Sequence, residues 1–238
     1  MMSEINFLSG VKAVFFDAGG TLLFPYPSVG EVYSRVAGEH GLQADANHLN
    51  EVFRQVWHRK DALAMTAGMD EKSERKWWRE IVREVFKETG GFKDFEVFFD
   101  DLYNQFASPA TWKLYDETHE VLHYVKSRGY IVGMISNWDH RLLKLCDAFD
   151  IKKYFDFMLI SAIYGKPKPH QDIFGEALRL SGVKPDEALH IGDSLEDDVQ
   201  GATRLKIRTL WLNRHDRGHP GNEIGKIHVI SNLKEMIG

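Results

Sequence analysis

Only one cysteine, Cys146, occurs among the 238 residues. No disulfide can form within the chain, which suits a reducing compartment. No apolar stretch approaches the roughly 20 residues that cross a bilayer, and Met1 to Gly10 carry no run resembling a secretion signal. Positive charge is not in excess: 30 Lys and Arg stand against 35 Asp and Glu, for a net charge of −5. That balance argues against nucleic-acid binding by broad phosphate neutralisation and leaves room for a small basic pocket. Internal repeats and low-complexity segments are missing too. The expectation is a soluble, cytoplasmic chain with neither nucleic acid nor membrane as partner.

Hydrophobic residues make up 43% and charged residues 27%, enough for a packed core. Short apolar runs suited to buried parallel strands recur at Val11–Phe16, Tyr130–Ile135, Phe157–Ile160, Leu189–Ile191 and Thr209–Leu212. Helical periodicity fills the gaps between the later ones, at Glu117–Ser127, Asp172–Ser181 and Asp197–Lys206. This alternation implies an α/β fold, a Rossmann-like parallel sheet with helices on both faces. The first strand breaks the rhythm. After Pro25-Tyr26-Pro27, residues Ser28 to Pro109 show helical periodicity alone, at Glu31–His40, Ala46–Lys60, Glu71–Glu88 and Phe95–Phe106. The expected division is a core of residues 1–24 and 110–238 and an inserted all-helical cap of 25–109, placed over the strand ends where open parallel sheets bind ligands.

Four features fall at or just after predicted strand ends. The first is Asp17-Ala18-Gly19-Gly20-Thr21, where an Asp beside two glycines also reads as an ordinary turn. Ser136-Asn137 follows the second core strand, and it suits a phosphoryl oxygen or a plain helix start equally well. Third comes Gly165-Lys166-Pro167-Lys168-Pro169, a stiff loop able to aim a lysine, or else a solvated basic turn. The fourth, His190-Ile191-Gly192-Asp193 with Asp197 and Asp198, is the strongest: clustered carboxylates are what Mg²⁺ selects. Asp197 is equally explained by the helix N-terminus it precedes.

In this order the motifs resemble those of the haloacid dehalogenase (HAD) superfamily, in the branch whose helical cap lies between the first two core strands. The resemblance covers nearly the whole chain. It implies that Asp17 is a nucleophile forming an aspartyl-phosphate, with Thr21, Ser136 and Asn137 holding phosphoryl oxygens. It implies that Lys168 stabilises charge, ahead of Lys166. The implied Mg²⁺ ligands are Asp17, Asp193, the Gly19 main-chain carbonyl and Asp198, the last directly or through a water. The implied partner is a small phosphorylated substrate.

One position departs from the pattern. In phosphatases of this superfamily a second Asp, two residues after the nucleophile, acts as general acid and base; here it is Gly19. General acid catalysis is typically worth about 10²–10⁴-fold. The expected activity is therefore a Mg²⁺-dependent phosphohydrolase weak on simple alkyl phosphates. The alternatives are dehalogenase-type chemistry, phosphonate-type chemistry through a cap lysine (Lys60, Lys72, Lys76 or Lys87), or a feeble member that binds a phospho-ligand or partner. Trp57-His58, Trp77-Trp78-Arg79 and Arg54 are candidates to line a pocket. His40, His48 and His58 are candidates for the missing acid, though helical surface histidines are the commoner case. His215 and His219 read as a solvent loop.

Overall fold

The fold is built outward from a strand that has no polar side. In the computed structural model, which describes residues 6–59, 68–215 and 227–238, β1 (Ala13–Phe16) is buried at every residue. Successive side chains of a strand point to opposite faces. Val14 and Phe16 therefore enter one apolar cluster, and Ala13 and Phe15 enter another across the sheet.

Six parallel strands form the sheet, in the order β5-β4-β1-β6-β7-β8. They are β4 (Ile131–Ser136), β5 (Phe157–Ile160), β6 (Ala188–Gly192), β7 (Arg208–Leu212) and β8 (His228–Ile230). Phe16 pairs with Met134 on β4 and with Ile191 on β6. Among the helices flanking the sheet are α5 (Thr118–Ser127), α6 (Arg141–Ala148), α7 (Ser161–Tyr164) and α8 (Gln171–Ser181).

The section between β1 and β4 carries α1 (Val29–Glu39), α2 (Ala46–Arg59), α3 (Glu71–Val85) and α4 (Phe95–Gln105). Ser28, Asp70 and Asp94 start α1, α3 and α4 by accepting from first-turn N–H groups, as capping residues do. These helices close a third apolar cluster of their own, including Val36, Leu49, Ile81 and Phe98. Helix α3 is tied to the loop after β4: Trp78 Nε1 donates to Asp139 Oδ2 at 2.6 Å, and His140 Nδ1 meets Glu74 Oε1 at 2.5 Å.

Three features differ from the sequence-based expectation: one strand pair, one further strand and one helix. Leu23–Pro25 (β2) and Trp112–Leu114 (β3) form an antiparallel pair; β2 crosses the expected boundary after residue 24, and β3 lies just past the one after residue 109. Each is three residues long, too short to show a period. β8 was likewise not expected. The expected helix Asp197–Lys206 is a wide π-type turn over Leu195–Gln200 and a short α-turn at Gly201–Thr203. Lys60, His219, Pro220, Gly221 and the His58 side chain lie outside the described residues. Among those described, no helix is long and apolar enough to cross a membrane.

Cys146 lies on the inner face of α6, and burial pushes its thiol up to about 12. Iodoacetamide at pH 8 should leave it unmodified in the folded protein and alkylate it after unfolding in urea, as read by intact mass.

Candidate active site

Asp17 is delivered to the site by the ladder itself, because its N–H donates to Ile191 O at 2.9 Å, one step beyond β1. The chain then turns sharply. The Ala18 carbonyl accepts from the N–H groups of Thr21, Leu22 and Leu23, and Gly20 takes φ +77°. A Cβ on Gly20 would also sit 2.7 Å from the Asp193 carboxyl carbon, so the turn and the close approach of the two acids both require glycine. Ser136 ends β4 and Asp193 follows β6, the two neighbours of β1 in the sheet.

The Lys168 ammonium, only 3% exposed, is the centre of the arrangement. Its Nζ lies 2.6 Å from Asp17 Oδ1 and 2.6 Å from Asp198 Oδ1. Lys166 is exposed, which separates the two candidate lysines. Thr21 Oγ1 donates to Asp17 Oδ2 at 3.0 Å, and Ser136 Oγ reaches Asp17 Oδ1 at 3.4 Å. The Asn137 amide is engaged at both ends with the Lys168 backbone, accepting from its N–H at 2.7 Å and donating to its carbonyl at 2.9 Å. Its side chain thus serves to hold Lys168 in place. Asp198 also meets His190 Nε2 at 2.8 Å and accepts from the Ser194 N–H at 3.0 Å.

Burial raises the Asp17 carboxyl above the ordinary range, with Lys168 opposing. Burial would raise Asp198 as well, but Lys168 and His190 outweigh it and hold this carboxyl well below the usual values. Burial alone would lower Lys168, yet the two carboxylates hold it above the ordinary lysine range. Asp197 is pushed up to about 6 by burial, against the pull of Lys168.

One oxygen each from Asp17, Asp193 and Asp198 lies within 4.8 Å of the others. All three are hard oxygen donors, the kind Mg²⁺ takes in an octahedron completed by water and phosphate, so the donor set fits that ion. The hydrogen bonds of this turn end on the Ala18 and Leu23 carbonyls and not on that of Gly19.

Above these groups a cavity of about 370 Å³ opens. Trp57 and Trp78 line it. Arg54 and His48 are exposed, His40 is paired with Asp101, and Arg79 is paired with Glu96. His215 is exposed. Lys72, Lys76 and Lys87 are exposed too and stay off the cavity wall.

Three contributors went unnoticed in the sequence. Trp138 follows the Ser136-Asn137 motif directly, and its ring lies 3.0 Å from where a Cβ on Gly19 would be. Arg141 lines the cavity and is paired at 2.5 Å with the fully buried Asp139. An Arg two residues after an Asp at the start of a predicted helix was the only signal for that pair, and it reads as easily as surface charge.

Comparison with known proteins gives one consistent result. A family model described as haloacid dehalogenase-like hydrolase matches residues 11–205. Human haloacid dehalogenase-like hydrolase domain-containing protein 3 is 32% identical over 233 residues, covering 95% of this chain and 92% of the human protein. Two solved structures share the fold. A dehalogenase superposes with a TM-score of 0.75 at 24% identity, over 95% of each chain. A HAD-hydrolase from Bacillus subtilis, bound to magnesium, gives 0.76 at 17%, over 95% of this chain and 96% of its own.

Removing Lys168 leaves Asp17 and Asp198 facing each other without a cation. Lys168→Met should cost about 3 kcal/mol of stability at pH 7, measured by urea denaturation. The sign with pH follows from the carboxyls. In the parent, Asp198 sits below its unfolded value, and the stability it contributes is lost as pH falls below about 4. In the variant both carboxyls are raised, so its deficit should shrink between pH 7 and pH 5.

Proposed function

The chain belongs to the haloacid dehalogenase-like hydrolase family, and from that membership and the site geometry we propose that it is a Mg²⁺-dependent phosphohydrolase. The observation that carries this reading is Lys168 bridging Asp17 and Asp198 beside a three-carboxylate cluster. Asp17 is the nucleophile, its carboxylate oriented by Lys168 and the Ser136 hydroxyl on Oδ1 and by the Thr21 hydroxyl on Oδ2. Attack on phosphorus forms an aspartyl-phosphate and expels the leaving group; a water then attacks the same phosphorus, releasing phosphate and restoring the carboxylate. Asp17, Asp193 and the Gly19 carbonyl would hold the metal, with Asp198 either a further ligand or the anchor of a metal-bound water. Mg²⁺ when bound neutralises the charge of the phosphoryl oxygens. Lys168 adds a fixed positive charge in a water-poor site, where it is worth more than in bulk.

The helical section α1–α4 serves as the cap in this reading. It keeps bulk water from the aspartyl-phosphate while a substrate occupies the cavity. Dehalogenation is the less favoured chemistry, because it needs no metal and gives no reason for Asp193 and Asp198 to converge on Asp17. Phosphonate cleavage through a Schiff base is further off, since no described cap lysine lines the cavity.

The deciding assay is phosphate release from acetyl, aryl and alkyl phosphates with Mg²⁺ or EDTA. Asp17→Asn should lower turnover at least about 10³-fold, EDTA should abolish it, and 2-haloacids should yield no halide. Full turnover by Asp17→Asn would overturn the nucleophile, and halide release persisting in EDTA would establish dehalogenation. Binding of phosphate without turnover of any substrate would favour a ligand-binding role.

A further inference from the structure

Resting on the phosphohydrolase reading, we infer that the group expelled from phosphorus is a flat, uncharged aromatic alcohol: the natural substrate class is an aryl phosphate. Three independent features of the cavity lead there.

The first is the wall. The floor carries the charged groups around Asp17, whereas the sides are built from rings, among them Trp57, Trp78, Phe99, Tyr103, Trp112 and Trp138. Flat apolar groups gain most from such a lining, because ring faces and edges give large contact areas in offset or edge-on packing. A sugar or polyol would leave hydroxyls facing rings that cannot accept their hydrogen bonds.

The second is the place beside the nucleophile. Gly19 faces the cavity two residues after Asp17, and the Trp138 ring takes the space next to it, 3.0 Å from a would-be Cβ. Trp138 is held through both its backbone and its ring. Its backbone N–H donates to the buried Ser161 hydroxyl at 3.1 Å, and its indole packs on Trp112 at 4.8 Å between centroids. An indole has one N–H and no proton to give at neutral pH. The proton-bearing groups on the wall are no better as acids. Burial raises both Tyr33 and Tyr103, and Arg141 is held by Asp139 above its already high value. Asp197 also reaches the cavity, but its charged neighbours are Lys168, Asp198 and Asp17 at the floor and Glu196 beside it in the chain. Among the described residues a leaving group on the ring-lined side thus meets no ready acid and departs as its own anion, which phenol-type oxygens do and alkoxides do not.

The third is charge at the ring-lined end. Among the described residues Arg141 is the cation there, with its guanidinium 4.8 Å from the Trp78 ring centroid and 4.2 Å from that of Tyr103. Asp139 accepts from its Nε and Nη2 and cancels the charge. This end of the cavity calls for no second anion, which sets an uncharged aryl group apart from a bisphosphate or a phosphorylated acid.

The atoms balance without any further reagent. As Asp17 attacks, the phosphorus–oxygen bond to the ring breaks and the aryloxide leaves with the electron pair, taking a proton from water. Hydrolysis of the aspartyl-phosphate then consumes one water and yields inorganic phosphate.

The test compares 1-naphthyl phosphate, phenyl phosphates of graded leaving-group acidity, acetyl phosphate and glycerol phosphate on the full chain with Mg²⁺. The expected kcat/KM for 1-naphthyl phosphate is at least tenfold above that for acetyl phosphate and a hundredfold above that for glycerol phosphate. Rates in the phenyl series should fall steadily as the leaving group becomes more basic. Trp57→Leu should lower the naphthyl-to-acetyl ratio at least tenfold, mainly through KM. Acetyl phosphate cleaved as well as 1-naphthyl phosphate would overturn the aromatic preference and leave the phosphohydrolase standing. Glycerol phosphate cleaved equally fast would reveal a working acid and overturn it as well. If no phosphate is released from any substrate, the hydrolase reading fails and the cavity is judged by binding. 1-Naphthyl phosphate should then quench the tryptophan fluorescence of Asp17→Asn with an affinity at least tenfold above that of inorganic phosphate, and equal affinities would overturn the inference.

Discussion

A buried ammonium between two buried carboxylates organises this molecule. Lys168 comes from a loop after β5, Asp17 from the end of β1 and Asp198 from the turn after β6, so three separate crossovers have to close correctly before the charges meet. Each of the three would be costly to bury alone. Together they are satisfied, and the surrounding contacts keep them so: Asn137 fixes the lysine backbone, His190 and the Ser194 N–H fix Asp198, and Thr21 fixes Asp17. The parallel order of the sheet, with β1 between β4 and β6, is what brings these loops to one edge. The site is therefore a property of topology before it is one of side chains.

This explains why the core and its motifs were legible in the chain. A parallel strand buried on both faces is a continuous apolar run, and functional residues must follow such runs, so Asp17, Ser136 and Asp193 stand directly behind recognisable strands. Lys168 could be told from Lys166 only through the family pattern; the fold separates them by burial. What stayed hidden has in common that its meaning comes from a distant partner. β2 and β3 are short and pair across the whole helical section. Trp138 reads as any aromatic after a motif until Gly19 is placed beside it. Glu74 looks like a solvated charge in the first turn of α3, yet it is nearly inaccessible and faces His140.

The glycine at position 19 also changes meaning once the fold is known. In the sequence it is a missing carboxylate. In the structure the Trp138 ring stands 3.0 Å from where a Cβ would be, so a side chain at this position has to push that ring aside.

That indole belongs to four consecutive residues with unrelated partners. Trp138 stands against Gly19, Asp139 takes the Trp78 N–H, His140 meets Glu74 and Arg141 enters the cavity wall. The loop after β4 thus ties helix α3 and the cavity wall to one short run of backbone. Adding or deleting one residue there would rotate every partner out of place at once. A change of length in this loop would alter its hold on α3 and the shape of the cavity wall together.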